Sequence, residues 1–477
     1  MSSIVPGVYC ARMLGADEIP TLDSPPPRHR RYFSPWFTLL CTLLAIGLIV
    51  VYAAPWRGSP LDSLDRPAEA LERLVSRDLD LRDALRGTSS WEQWLYGLLS
   101  GDEDSIEEAL RWYEELLDTV ESAAAELDYA VLKAEAGDPL PRGPENEADW
   151  VALAYSPDPV DPEDARAVIA RVRAEFPANW FTDRLVQRLA AKIGDSATAA
   201  QAKEDTLARG RSLLVRWRVL TALEGGLILG ALVLLLRARR RGLPALGAAP
   251  MPPTWGLIDG YALVVRGMLG LLGLTLAVIV LVPDARTLIQ FASFLAGVPV
   301  LLWTIGYLRA KGDSFAHTFG FDVSPRAIGS VLAVALILVG VGGAAESGIG
   351  SIVGALGIES HWADGLPEDL LWDPPWRIAV GVLDTVVWTP FVEELTFRGL
   401  LYGTLRTRTG APLAAVASGC LFAAAHGYGL AGFASVFMSG ILWALAYEKS
   451  RSLLPGIVAH AVNNLSVTVT YLVLLRL

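Results

Sequence analysis

Long apolar segments constrain the fold of this chain more than any other feature. A helix of about 20 apolar residues crosses the hydrocarbon core of a bilayer, where the backbone must satisfy its own hydrogen bonds. Nine such segments occur in the 477 residues, at 32–54, 219–236, 257–282, 287–308, 328–345, 378–401, 413–430, 432–447 and 453–475. They predict an all-α, polytopic membrane helix bundle with about eight or nine spans.

A strongly acidic block separates the first two of these segments. Residues 57–212 contain 33 of the 51 acids but 18 of the 40 bases, so the block has a net charge of −15 and the rest of the chain +4. Its helical periodicity predicts an inserted, soluble, all-helical domain, and its acidity argues against nucleic-acid binding. We expect its core to contain six aromatic residues: Trp91, Trp94, Trp112, Tyr113, Trp150 and Trp180.

The basic residues between the apolar segments predict the topology. Basic clusters at 28–31, 237–241, 309–311, 406–408 and 449–451 all fall on one side of a nine-span chain, which should be the cytoplasm. We expect an integral protein of a bacterial cell (inner) membrane. The predicted parts are a cytoplasmic tail (1–31), a transmembrane anchor (32–54), the extracytoplasmic acidic helical domain (57–212), a transmembrane helix with a basic loop (213–241) and an intramembrane core (255–475).

The predicted span 378–401 contains an unusual set of ionisable residues. Two adjacent carboxylates, Glu393 and Glu394, are followed by Arg398. Ionisable groups at membrane depth are costly and indicate function. Glu394 and Arg398 are four residues apart, so they share a helical face and can pair. Glu393 lies about 100° round the helix from Glu394 and can point elsewhere. Crowding of like charge and a low dielectric would raise the pKa of one of the two carboxylates, as a general base requires.

Two histidines in later apolar segments extend this set. His426 follows Phe422 by four residues, and His460 shares a helical face with Asn464, four residues further on. At about 1.5 Å per residue from the predicted cytoplasmic helix ends, Glu393, His426 and His460 would lie roughly 10–20 Å deep. The sequence therefore predicts that three helices bring polar groups together at one buried site.

Together these motifs resemble a known family. Glu-Glu-x-x-x-Arg at 393–398, Phe-x-x-x-His at 422–426 and His-x-x-x-Asn at 460–464, on successive apolar segments, resemble the CAAX-processing and bacteriocin-processing (CPBP, or Abi) proteases. The resemblance covers about residues 255–475 and implies an intramembrane glutamic endopeptidase. It implies that Glu393 activates water with help from His426. It also implies that His460 and Asn464 donate to the oxyanion, and that Glu394 and Arg398 support the structure or orient the substrate.

The same residues have other interpretations. The four polar groups could form a structural hydrogen-bonded network between helices, and two His with two Glu could bind zinc. The resemblance implies no metal and no other cofactor. The expected partners are a membrane-associated protein or peptide substrate and the lipid bilayer, with a protein partner of the acidic domain as a further option. The alternative functions are a non-catalytic membrane adaptor or immunity-type protein, and an ion-coupled transporter.

Overall fold

A computed structural model of the chain describes residues 32–53, 60–100, 105–138, 147–281, 294–295, 297–356, 358 and 361–477. The regular secondary structure of these residues is helical throughout, which confirms the predicted all-α class. The predicted tail 1–31, with its basic run at 28–31, lies outside the described residues, as does the start of the predicted segment 287–308.

A compact group of short helices follows the first apolar helix, α1 (Pro35–Ala53). These helices are α2 (Pro67–Leu85), α3 (Ser90–Ser100), α4 (Ser105–Leu117), α5 (Ala123–Ala136), α6 (Glu147–Tyr155), α7 (Pro162–Glu175) and α8 (Trp180–Lys192). Local signals fix their starts. At α7, Asp161 accepts a hydrogen bond from the Glu163 amide, and Pro162 occupies the first helical position.

The aromatic core of this domain is smaller than predicted. Tyr113 and Trp180 are buried with Phe181 in a cluster of aliphatic side chains. Trp91 and Trp94 are 64% and 66% exposed, so their predicted place in the core is wrong. They lie on the side of α3 that points away from the domain. Their spacing alone could not show this, because helical periodicity defines an apolar face without saying what covers it.

One continuous helix joins the domain to the membrane part. Helix α9 (Ser196–Arg241) has 46 residues and is about 69 Å long at 1.5 Å per residue. The predicted border at 212 therefore falls inside a single helix. The N-terminal half of α9 is amphipathic and the C-terminal half is apolar, and no proline lies between them. The helix therefore continues without a break from the soluble domain into the membrane part.

Most of the remaining helices fall within or overlap the predicted apolar segments, and three short ones, at 315–319, 368–372 and 403–406, lie outside them. The remaining helices are α10 (Leu257–Leu281), α11 (Val298–Lys311), α12 (Phe315–Phe319), α13 (Ile328–Ala355), α14 (Glu368–Trp372), α15 (Pro375–Leu383), α16 (Thr389–Glu393), α17 (Gly403–Arg406), α18 (Ala411–Ala424), α19 (Leu430–Ser450) and α20 (Leu454–Tyr471). Among the described residues, five helices are long and apolar enough to cross a membrane, namely α9, α10, α13, α19 and α20. Helices α1 and α18 are apolar but shorter. The protein is thus an integral membrane helix bundle, and the number of spans stays a prediction.

The acidic loop before α15 is docked on the helical domain. Trp362 belongs to the apolar core of the domain, and His361 Nε2 lies 2.8 Å from Glu115 Oε2. The Glu368 carboxylate accepts from the backbone amides of Asp65 and Arg66. This loop, residues 361–373, therefore connects the domain to the helix that begins at Pro375.

Candidate active site

Residues 375–406 form one helical rod in which α-helix and π-helix alternate; we call it the broken helix. A π-helical segment at Asp384–Trp388 separates α15 from α16, and a second one at Glu394–Tyr402 separates α16 from α17. Single π-helical turns are rare and frequently occur at functional sites. The sequence predicts this region as one span, 378–401, because an apolar pattern does not reveal a change in hydrogen-bond register.

A proline accounts for the first π-helical segment. The Thr389 amide donates to the Asp384 carbonyl, and the next nitrogen, that of Pro390, carries no hydrogen. The Thr385 carbonyl therefore lacks a donor from the broken helix. Asn464 Nδ2 of α20 donates to it at 2.8 Å and so supplies the missing hydrogen bond. Asn464, the predicted oxyanion donor, thus ties α20 to the broken helix.

Glu394 and Arg398 form a fully buried ion pair. Glu394 Oε1 lies 2.9 Å from Arg398 Nη1, and both residues have 0% exposure. The guanidinium carbon lies 4.0 Å from the ring centre of Phe422 and 4.9 Å from that of Trp443. Within the described residues the guanidinium nitrogens and Glu394 Oε2 have no well-aligned hydrogen-bond partner. Aromatic faces thus replace much of the hydration that the cation loses.

His460 lies between the two adjacent carboxylates. Its Nδ1 is 3.2 Å from Glu394 Oε1, and its Nε2 is 3.6 Å from Glu393 Oε2. The imidazole stacks on Trp443 with ring centres 4.4 Å apart, and His460 is 4% exposed. Because an ionised carboxylate only accepts hydrogen bonds, Glu394 fixes the proton on Nδ1 and turns Nε2 toward Glu393.

The two carboxylates occupy different environments. The Glu393 side chain is 27% exposed, whereas that of Glu394 is 1% exposed and engaged by both Arg398 and His460. Glu393 is the last residue of α16, immediately before the second π-helical segment. Of the two acids, Glu393 is therefore the one that water or a substrate can reach.

His426 approaches the same region from a turn. The predicted segment 413–430 is helical only to Ala424, because Gly427 adopts a positive φ of 68° that ends the helix. His426 Nδ1 lies 2.8 Å from the Phe422 carbonyl. A carbonyl only accepts, so Nδ1 carries the proton and the Nε2 lone pair is available. In the described structure no hydrogen bond or ion pair joins His426 to Glu393. The Tyr428 ring lies beside His426, with ring centres 5.6 Å apart.

Residues 375–466 match a family model described as type II CAAX prenyl endopeptidase Rce1-like. This stretch begins with the broken helix and ends just beyond Asn464, so it contains all six residues singled out from the sequence. The match covers 92 of the 477 residues, and this part of the chain is similar to the CAAX protease family. The resemblance predicted from the three motifs is thereby confirmed. No curated protein and no solved structure matches the chain.

Three residues of this site, Trp443, Ser418 and Gly456, were not predicted from the sequence. Trp443 forms the aromatic bed under Arg398 and His460 together with Phe422 of the predicted motif. Ser418 Oγ donates to the Phe397 carbonyl of the second π-helical segment. Gly456 leaves room for Glu394, since a Cβ there would lie 2.9 Å from its Oε2. An aromatic, serine or glycine in an apolar helix is most often a packing residue, so no sequence signal separates these from the core.

The acidic side chains of this site surround the imidazole of His460. Among the residues that the structure describes, no three His, Cys, Asp or Glu side chains converge as metal ligands would. Glu393, Glu394 and His460 are instead arranged around one imidazole, with Arg398 as the neighbouring cation. The expectation of a metal-free site stays a prediction, and a chelator tests it directly.

Proposed function

We propose that this chain is a member of the CAAX protease family and hydrolyses peptide bonds of membrane-associated proteins or peptides, using Glu393 to activate water. The observation that carries the proposal is the division between the two adjacent carboxylates. Glu394 is buried and bound to Arg398 and His460, whereas Glu393 remains partly exposed beside His460 Nε2. A general base needs access to water and a fixed neighbour, and Glu393 has both.

The reaction follows from the positions of the proton carriers. Glu393 takes a proton from water, and the resulting hydroxide adds to the carbonyl carbon of the scissile bond. In this step His460 carries a proton on each ring nitrogen, one toward each carboxylate: Nδ1 donates to Glu394, and Nε2 donates to the oxyanion, where stabilisation of developing charge lowers the barrier most. Glu393 then returns its proton to the leaving nitrogen, and the C–N bond breaks. His426 assists through Nε2 once substrate closes the distance between its turn and Glu393.

Asn464 takes a different part from the one that the family resemblance implies. Its Nδ2 is engaged by the Thr385 carbonyl, so we assign it first to holding α20 and the broken helix in register. This makes Asn464 a positioning residue for His460, one turn away on the same face of α20.

We propose a bacterial cell membrane as the location, with the helical domain outside the cytoplasm.

The experiment is cleavage of a membrane-peptide library by the full chain in lipid nanodiscs. Glu393→Gln and His460→Asn are compared with the parent, each with and without a chelator. Glu346→Gln is the matched control, because it removes another carboxylate from an apolar helix outside the site. We expect both site variants to lose cleavage, the control to retain it and the chelator to have no effect. Products that persist in Glu393→Gln would refute the proposal, and loss on chelation would replace it with a metal-dependent mechanism.

A further inference from the structure

Helix α3 carries an apolar stripe that faces away from the rest of the protein. Trp91, Trp94 and Leu98, spaced i, i+3 and i+7, are 64%, 66% and 56% exposed, and Leu99 beside them is 46% exposed. A surface helix of a soluble domain normally turns its apolar stripe inward. Here Glu92 and Tyr96 are buried and Leu95 packs beside them, while the two tryptophans and two leucines of the stripe face outward.

The inward face of α3 fixes its height relative to the membrane. Tyr96 packs on Trp217 of α9 with ring centres 5.6 Å apart, and Glu92 forms an ion pair of 2.7 Å with Arg218. The apolar part of α9 begins at the next residue, Val219, whose side chain is exposed. Helix α3 therefore lies at the level where α9 enters the bilayer.

We infer that α3 is an interfacial helix that lies in the membrane surface and anchors the helical domain to lipid. Tryptophan is favoured at the boundary between headgroups and acyl chains, because its ring is apolar with one polar edge. Leu98 and Leu99 extend the same surface toward the acyl chains, as in helices that lie in the plane of the interface. The arginines that flank Trp217, Arg216 and Arg218, stand at headgroup height, where they can meet lipid phosphates.

The anchor has a consequence for the site. The domain that α3 holds also binds the loop at residues 361–373, through Glu115 and the amides of Asp65 and Arg66. Within that loop Gly365 lies against Tyr428, since a Cβ at Gly365 would be 3.2 Å from the Tyr428 ring. Contact of α3 with lipid would thus keep the domain and this loop in a fixed position beside the turn that carries His426.

The test places a fluorescent probe on α3 of the full chain in nanodiscs, after Cys10→Ala, Cys41→Ala and Cys420→Ala. Single cysteines Trp94→Cys, Arg166→Cys and Leu229→Cys carry an environment-sensitive dye. Lipids with a nitroxide near the headgroup or near the end of the acyl chain quench it. Arg166 is exposed on α7 and is the aqueous control; Leu229 is exposed on the apolar half of α9 and is the bilayer control.

We expect the probe at 94 to be quenched at least about twofold more than the probe at 166, and more by the headgroup nitroxide than by the deep one. The probe at 229 should show the opposite depth preference. In a second series, a probe at Leu98→Cys should lose its quenching when Trp91→Asp and Trp94→Asp are added. Equal quenching at 94 and 166 would overturn the inference, as would a stripe that is shielded only when a second copy of the chain is cross-linked to it.

Discussion

Arg209 and Arg398 each bind acidic side chains, but the hydrogen bonding around the two guanidinium groups is opposite. Arg209 in the helical domain donates through Nε and Nη2 to Asp80 and through Nη1 to Asp183, at 2.7–3.2 Å. Arg398 in the membrane part faces Glu394 at 2.9 Å, but within the described residues its nitrogens make no well-aligned hydrogen bond, and two aromatic faces cover it. In the Arg209 cluster (Arg209, Asp80 and Asp183) each guanidinium nitrogen donates a hydrogen bond. In the Arg398 cluster (Arg398, Glu394 and His460) the guanidinium nitrogens and Glu394 Oε2 have no well-aligned hydrogen-bond partner among the described residues.

The difference separates a structural cluster from a reactive one. A buried polar group without a partner costs free energy, so a fold that needs only stability satisfies it, as around Arg209. The cluster around Arg398 retains this cost next to the exposed carboxylate of Glu393 and the shared imidazole of His460. Unsatisfied groups in a buried site are available to a substrate or to charge that develops during a reaction.

The largest expected effect distinguishes the two adjacent carboxylates. Glu393→Gln should lower the cleavage rate by about 10²–10⁴-fold, because it removes the general base, and leave thermal stability unchanged. Glu394→Gln should lower stability as well as activity, because Arg398 then loses its counter-charge. The measurement is single-turnover cleavage together with the melting of each variant in the same detergent. Equal melting losses in both variants would show that the two acids do not differ in role.

Removing each arginine compares the two clusters directly. Arg398→Met should destabilise the membrane part by about 3–5 kcal/mol, because it removes the arginine partner of the buried Glu394 carboxylate. Arg209→Met should cost less, about 1–3 kcal/mol, because Arg209 is 30% exposed and water can enter beside Asp183. Hydrogen exchange of the amides in α2 and in the broken helix measures each effect locally. The expected order would be contradicted if Arg209→Met increased amide exchange in α2 more than Arg398→Met increased it in the broken helix.

The sequence predicted the Arg398 cluster better than its surroundings. Spacing alone places Glu394 and Arg398 on one face, and the polar residues in otherwise apolar helices point to His460, since few other features explain charges at that depth. The first π-helical segment could not be predicted, because it depends on Pro390 together with Asn464, 74 residues away in the chain. The turn at His426 and the outward stripe of α3 depend likewise on tertiary context that periodicity does not contain.

Alanine substitutions at Gly210 and Gly456, next to the Arg209 and Arg398 clusters, should have smaller effects that again separate stability from activity. A Cβ at Gly210 would lie 2.1 Å from the Asp80 carbonyl oxygen, so Gly210→Ala must move the backbone of α2 away from α9. We expect a loss of about 1–3 kcal/mol in the stability of the domain. A Cβ at Gly456 would lie 2.9 Å from Glu394 Oε2 and at an ordinary contact distance of 3.9 Å from the Trp443 Cβ, so Gly456→Ala should disturb cleavage more than melting. Melting curves and cleavage rates of both variants decide this, and similar melting losses would contradict it.

The smallest expected effect is a pH dependence confined to the helical domain. Burial raises the pKa of the Asp80 carboxyl from 3.8 to about 6, against the lowering effect of its hydrogen bonds from Arg209. The folded domain therefore binds a proton here that the unfolded chain releases near pH 4. The resulting stability is fully present below about pH 4 and is lost as pH rises through about 6.

Asp80→Asn isolates this contribution, since the amide keeps an oxygen for Arg209 but does not titrate. Between pH 4 and pH 6.5 the parent should lose at least about 1 kcal/mol more stability than Asp80→Asn. The exchange of α2 amides, corrected for the intrinsic effect of pH, provides the measurement. Parallel profiles for the two proteins would mean that Arg209 keeps Asp80 ionised over the whole range. In that case Asp80 and Arg209 would stay paired as a fixed salt bridge over this pH range. The Arg209 cluster would then be purely structural, and its difference from the reactive Arg398 cluster would be larger.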